Sequence, residues 1–225
     1  MAAASSVIES CRKVVCIGRN YMEHVKELGN KLPGKPFFFL KPPSSLLSEA
    51  SGLPILLPAG SKSVHHEVEM ALLIGSRLDG ATALATPDDA LIERYISGYA
   101  VALDLTDRDA QNEAKSKGLP WTAAKGYDTF CPISDFVAPS RIADCSNTEL
   151  WLQINGVDRQ RGSTSMMIFP IPALLRSISA VMTLHPNDIV LTGTPSGVSA
   201  IQPGDLLHAG LSDIVSARFR VEQSK

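Results

Sequence analysis

The sequence is short of several features, and each shortage removes a class of function. No apolar run in the 225 residues approaches the ~18 needed for a membrane-spanning helix. There is no basic stripe: 21 Lys and Arg stand against 23 Asp and Glu, for a net charge of −2. That balance argues against nucleic acid and anionic membrane as partners. The four cysteines (Cys11, Cys16, Cys131, Cys145) show no Cys-x-x-Cys spacing and read as reduced thiols with no redox role. The Gly-Lys-Ser/Thr ending of a phosphate loop is missing. The run His66-Glu67-Val68-Glu69-Met70 also lacks the second histidine of a His-Glu-x-x-His zinc site. The Ala/Ser-rich start lacks the long apolar segment of a secretory signal, and a mitochondrial leader remnant is one reading of it.

What is present fits one mainly β domain with a few short helices. Hydrophobic residues make up 44% and charged residues 20%, which suffices for a globular core, and no repeat or composition break divides the chain. Short strands are expected at 13–17, 37–40 (buried), 99–105, 150–154 and 188–191, with a closing hairpin over 205–222. Asn155-Gly156 predicts a type I′ hairpin turn. Helices are expected at 22–28, from an N-cap at Thr86 to about 96, from 106–109 to 117 with a stop at Gly118, and over 172–182. Strands outnumber helices and do not alternate with them, which excludes a doubly wound parallel sheet.

The most informative stretch is His65-His66-Glu67-Val68-Glu69, directly before the apolar run Ala71-Leu72-Leu73-Ile74. As a continuous strand it places His65, Glu67 and Glu69 on one face, with the two glutamates roughly 6.6 Å apart. Carboxylates that close beside a core repel each other and resist desolvation, which calls for a cation. Asp104, on a strand face shared with Ala100 and Ala102, is a third oxygen ligand with room around it. Three carboxylates suit Mg²⁺ or Mn²⁺, but spacing alone leaves a plain salt-bridged strand equally open. His24 and Glu27 share a helix face at i, i+3 and can form a proton-transferring pair, although any surface helix can supply such a pair. Lys125 among small residues can neutralise an oxyanion, and the turn 192–197 can hold an anion. Arg108 and Gln111, at i, i+3, can overhang a metal at Asp104. Singly, each of these reads as an ordinary surface or turn residue.

Together they do not. Val15 to Tyr21 with His24, then Phe39-Leu40-Lys41-Pro42, then the Glu67/Glu69 stretch come in a familiar order. Leu103 to Asp109 with Gln111, Lys117 to Thr122 with Lys125, and Leu191 to Val198 follow. Over about 13–222 the chain resembles the fumarylacetoacetate hydrolase superfamily, in its short acylpyruvase and oxaloacetate decarboxylase branch. The resemblance implies an α+β, mainly β, mixed β-roll as one catalytic domain over 13–225, behind an extension of residues 1–12. It implies a homodimer with Mg²⁺ (or Mn²⁺) on Glu67, Glu69 and Asp104. It assigns a catalytic dyad to His24 and Glu27 on a lid, the active-site lysine to Lys125, and substrate contacts to Arg19, Arg108, Gln111 and Thr194. The implied substrate is a small 2-oxo or 2,4-dioxo acid. Acylpyruvate hydrolysis to pyruvate and a carboxylic acid is the first expectation, with oxaloacetate decarboxylation beside it. Keto–enol tautomerisation or isomerisation at the same site is the alternative, and a non-catalytic metal-binding β domain is the rival from another class. The compartment implied is mitochondrial, with the cytosol as alternative.

Overall fold

Residues 68–74 are buried at every position, and their alternation feeds two cores. Val68, Met70, Leu72 and Ile74 join one apolar cluster; Ala71 and Leu73 join a second. At ~2 kcal/mol per large side chain this burial contributes on the order of 10 kcal/mol. That is enough to carry a costly passenger, Glu69, which sits in the same strand at 1% exposure.

The computed structural model describes residues 3–27, 29 and 31–224. The chain begins with α1 (Ala4–Ser10), β1 (Val14–Gly18), α2 (Met22–Glu27), β2 (Phe37–Lys41), β3 (Leu46–Ser48) and β4 (Ile55–Leu57). Then come β5 (Val64–His65), β6 (Val68–Ile74), α3 (Gly80–Ala85), α4 (Asp88–Tyr95), β7 (Ile96–Leu103) and β8 (Thr106–Asp107). They are followed by α5 (Arg108–Lys117), α6 (Thr122–Lys125), β9 (Cys131–Ile133), β10 (Glu149–Ile154) and β11 (Val157–Ser163). Helix α7 (Ile171–Ser179), β12 (Ile189–Leu191), β13 (Leu206–Leu211) and β14 (Val215–Gln223) complete it.

A seven-stranded sheet runs β2-β1-β12-β6-β7-β9-β3, a five-stranded sheet runs β11-β10-β13-β14-β4, and β5 pairs with β8. In the larger sheet β1–β12 and β3–β9 are parallel and the other pairs antiparallel. The first cluster lies between the two sheets, where Leu150, Leu152 and Leu207 meet Met70, Leu72 and Leu103. The second lies on the other face of the larger sheet beneath α1, whose Ala4 and Val7 are buried in it. This is the α+β, mainly β, mixed-sheet roll that the resemblance implied.

Local signals held where the chemistry was local. Asp107 caps α5 by accepting from Ala110 N, and Gly118 ends it in the left-handed region at φ 65°. Asn155 and Gly156 both take positive φ in the β10–β11 turn. Helix α7 opens one residue before Pro172 and stops at Ser179, short of 182.

Four expectations need correction. Strand β2 is not buried: it is a sheet edge with Phe37 and Leu40 exposed, and its buried member is Lys41. Thr86 does not cap α4; it closes α3, a helix capped by Asp79, and its hydroxyl donates to Thr82 O. The strand expected at 99–105 is β7, which starts at Ile96 and ends at Leu103, leaving Asp104 just beyond it. Most consequentially, the Glu67/Glu69 stretch is not one strand. It breaks at His66-Glu67, between β5 and β6. Leu28 and Asn30, expected at the end of α2, lie outside the described residues.

Candidate metal centre and active site

The break before β6 shapes the site. Its backbone is claimed from outside: His66 N donates to Ser199 O, Val68 N donates to the Gln160 side chain, and Glu67 O accepts from Asp104 N. Glu67 is thereby released from strand alternation and turned toward Glu69 and Asp104. One oxygen from each of the three carboxylates lies within 4.8 Å of the others. Glu69 and Asp104 share the face of Ala71, Ala100 and Ala102, so small side chains leave the space the carboxylates occupy.

The three groups are buried and electrostatically unequal. Burial alone would raise Glu67, but Lys125 and Arg108 outweigh it and hold its carboxyl well below the usual range. Glu69 goes the other way: burial, then the charges of Asp104 and Glu67, push it well above that range. Gly193 N partly offsets this by donating to Glu69 Oε2 at 2.6 Å. Asp104 Oδ1 is buried with no hydrogen-bond donor aligned on it. Lys41 Nζ forms a buried ion pair with that oxygen at 2.8 Å while donating to the carbonyls of Leu105 and Lys125. A crowded all-oxygen set with one carboxylate driven toward protonation fits a hard divalent cation.

Lys125 comes from α6 and is 2% exposed. Its ammonium donates to Asp104 Oδ2 at 2.7 Å and Glu67 Oε2 at 3.0 Å. Burial alone would lower it, but the Asp104 and Glu67 carboxylates hold it above the ordinary lysine value. Two of its three protons are thus committed and one remains. Arg108 Nη2 reaches Glu67 Oε1 at 2.5 Å, and Arg108 Nη1 donates to Gln111 Oε1 at 3.0 Å.

His24, 4% exposed on α2, places Nδ1 3.1 Å from Glu27 Oε2. Glu27 also accepts from Gly197 N at 3.2 Å, which ties α2 to the loop after β12. With Nδ1–H given to the carboxylate, Nε2 is the nitrogen left as a base. His65 and His66 serve the scaffold. His65 Nε2 meets Ser63 Oγ, and His66 spans Gln160 Oε1 and Ser199 Oγ.

One cleft collects His24, Glu67, Glu69, Asp104, Lys125, Arg19, Arg108, Gln111 and Thr194 on its wall, with Glu27 behind His24. Arg19 is held at φ 60° in the turn after β1. Thr194 Oγ1 accepts from Gln160 Nε2 at 2.8 Å, which leaves its hydroxyl proton free. Sequence reasoning gave no role to Lys41, Lys115, Phe39 or Trp121, the last three of which also line the cleft. The signal for Lys41 was present: a lysine ending the apolar run Phe37-Phe38-Phe39-Leu40 is misplaced unless its charge is met inside.

Three converging buried carboxylates, a lysine across them and a histidine–glutamate pair make a candidate metal centre in a mixed-sheet β-roll. The sequence profile of the fumarylacetoacetate hydrolase C-terminal domain matches residues 13–222, and the chain belongs to that family. It is 48% identical over 206 residues to a mitochondrial oxaloacetate decarboxylase of Dictyostelium discoideum, covering 92% of this chain and 91% of that one. It is 45% identical over 214 residues to a mitochondrial oxaloacetate tautomerase of Rattus norvegicus, covering 95% and 93%. The fold matches a crystal structure of fumarylpyruvate hydrolase from Pseudomonas aeruginosa in complex with Mn²⁺ and pyruvate. The TM-score is 0.86 at 31% identity, over 95% of this chain and 91% of that one.

Proposed function

We propose that the protein is a mitochondrial, divalent-metal-dependent enzyme that interconverts the keto and enol forms of oxaloacetate. The observation that carries this reading is His24, oriented by Glu27, in the same cleft as Glu67, Glu69 and Asp104. Proton transfer between carbon and oxygen needs such a base; loss of CO₂ from oxaloacetate needs only the charge sink. The tautomerase and decarboxylase relatives support the substrate and the compartment.

A cation on Glu67, Glu69 and Asp104, taken as Mg²⁺ with Mn²⁺ able to replace it, supplies Lewis-acid stabilisation of negative charge at the 2-oxo oxygen. His24 Nε2 takes a proton from C3, and Glu27 stabilises the imidazolium that forms. The remaining proton of Lys125 faces the developing oxyanion, and Arg19, Arg108, Gln111 and Thr194 hold the carboxylate end. His24 then returns its proton to the enolate oxygen. A second reading, acylpyruvate hydrolysis, is favoured by the same dyad, since His24 can equally deprotonate a water for attack at C4. Family resemblance supports a homodimer, which sedimentation velocity tests.

The test is His24→Ala, followed at once by enol absorbance and by pyruvate. Tautomerisation and any acylpyruvate hydrolysis should fall by about 100-fold or more, while metal-dependent decarboxylation falls far less. Equal losses in all three would remove His24 as the base. Glu69→Gln should abolish Mn²⁺ binding by calorimetry together with every activity; unchanged metal affinity would overturn the ligand assignment.

A further inference from the structure

The cleft holds more positive charge than its carboxylates use. Lys125 is met by Asp104 and Glu67, and Arg108 by Glu67. Among the described residues, neither Arg19 nor Lys115 has a carboxylate oxygen within 4 Å, although both stand on the cleft wall. Helix α5 makes the contrast within three residues. On its solvent side Lys117 takes Glu113 at i−4, 2.5 Å away. On the cleft side the residue four before Lys115 is Gln111, whose Oε1 accepts from Lys115 Nζ at 3.2 Å and from Arg108 Nη1 at 3.0 Å. The ammonium also lies 5.3 Å from the centre of the Trp121 ring. A neutral amide and an aromatic face therefore hold Lys115 in place without discharging it. Lys115, though exposed on α5, lines the same cleft as Arg19 and Arg108, so three cations share that wall. Partial burial, with the like charges of Arg108 and Arg19, lowers its affinity for a proton. An anion placed there relieves that repulsion.

We propose that Lys115, with Arg19, receives the second carboxylate of a dicarboxylic 2-oxo acid and so sets the preference of the cleft for such acids over monocarboxylic ones. This rests on the reading of the cleft as a 2-oxo acid site and adds the residue that selects among those acids. The first carboxylate and the 2-oxo group belong at the Glu67/Glu69/Asp104 end; a monocarboxylic acyl chain leaves Lys115 without a partner.

The test compares the Mn²⁺-loaded parent with Lys115→Met and Lys115→Arg. KM is measured for oxaloacetate and for acetylpyruvate. Kd is measured by calorimetry for 2-oxoglutarate and 2-oxopentanoate, which have equal carbon number and differ in the distal carboxylate. Lys115→Met should weaken the dicarboxylates by about 10-fold or more, at least about five times its effect on the monocarboxylates. Lys115→Arg should recover most of the loss. Equal shifts for both classes would show that Lys115 only props Trp121, and no shift for the dicarboxylates would show that it is solvated; either overturns the assignment. A parent that turns over neither substrate would sink the proposed function, and the Kd pair would still decide the role of Lys115.

Discussion

Gln160 is 1% exposed on β11, and Gln160→Leu tests whether the five-stranded sheet holds the metal-site break in shape. Its Oε1 accepts from His66 Nδ1 at 2.8 Å and from Val68 N at 3.0 Å; its Nε2 donates to Thr194 Oγ1 and Pro195 O, both at 2.8 Å. Leucine fills much the same volume but accepts nothing, so two buried N–H donors lose their partner. At ~2 kcal/mol for each orphaned donor the cost is about 4 kcal/mol. Thr194 Oγ1 and Pro195 O also lose the donor that Nε2 supplied, so about 4 kcal/mol is the lower bound. With a urea slope of about 2.5 kcal/mol/M, the unfolding midpoint should fall by roughly 1.5 M. Because Val68 N–H pins the chain between Glu67 and Glu69, Mn²⁺ affinity should fall as well. Gln160→Glu keeps both acceptor bonds and should lose less. A midpoint shift under roughly 0.4 M, about 1 kcal/mol on that slope, with unchanged metal affinity, would refute the reasoning.

Two further expectations concern the same neighbourhood. Burial, against the help of its bond to Gln160, lowers His66 from 6.5 to about 4, so the unfolded chain takes up this proton first as pH falls. The resulting contribution of about 3 kcal/mol is complete above pH 6.5 and is lost between there and about 4. His66→Gln should flatten urea stability across that window, and parallel pH curves for parent and variant would contradict the shift. At Gly197 (φ 96°) an added Cβ would lie 2.1 Å from Arg159 O, so Gly197→Ala must move the backbone that donates to Glu27. It should lower Tm by several degrees, about 2 kcal/mol, and speed hydrogen exchange over 22–27; an unchanged Tm would show the loop yields at no cost.

How much could be read in advance depended on the range of the interactions. Asp107, Gly118 and Asn155-Gly156 were legible because a cap or a hairpin turn is settled by residues within four positions. The assembly of His24, the carboxylates and Lys125 in one cleft was legible only through the order of motifs along the chain, since each motif alone looked ordinary. The N-terminal residues read as an extension include α1, because only the assembled sheet supplies the face that Ala4 and Val7 cover.

By itself the sequence determined several of the strands and helices, the hairpin turn, and which acids, bases and lysines were available; α1, α3 and α6 and the short strands β3, β4, β8 and β9 came only from the fold. Tertiary structure decided which of them meet. Strand alternation placed Glu67 and Glu69 side by side on one strand, but that strand breaks at His66-Glu67, where Gln160, 92 positions beyond Val68, takes the Val68 N–H. Lys41 looked like the end of an apolar strand until the Asp104 carboxylate, with the carbonyls of Leu105 and Lys125, 64 and 84 positions away, met its charge in the core. Lys115 looked like one more surface lysine on α5 until the fold set it on the cleft wall without an acid. Buried charges and unpaired backbone donors are settled by partners from distant segments, and those partners exist only once the sheets have packed.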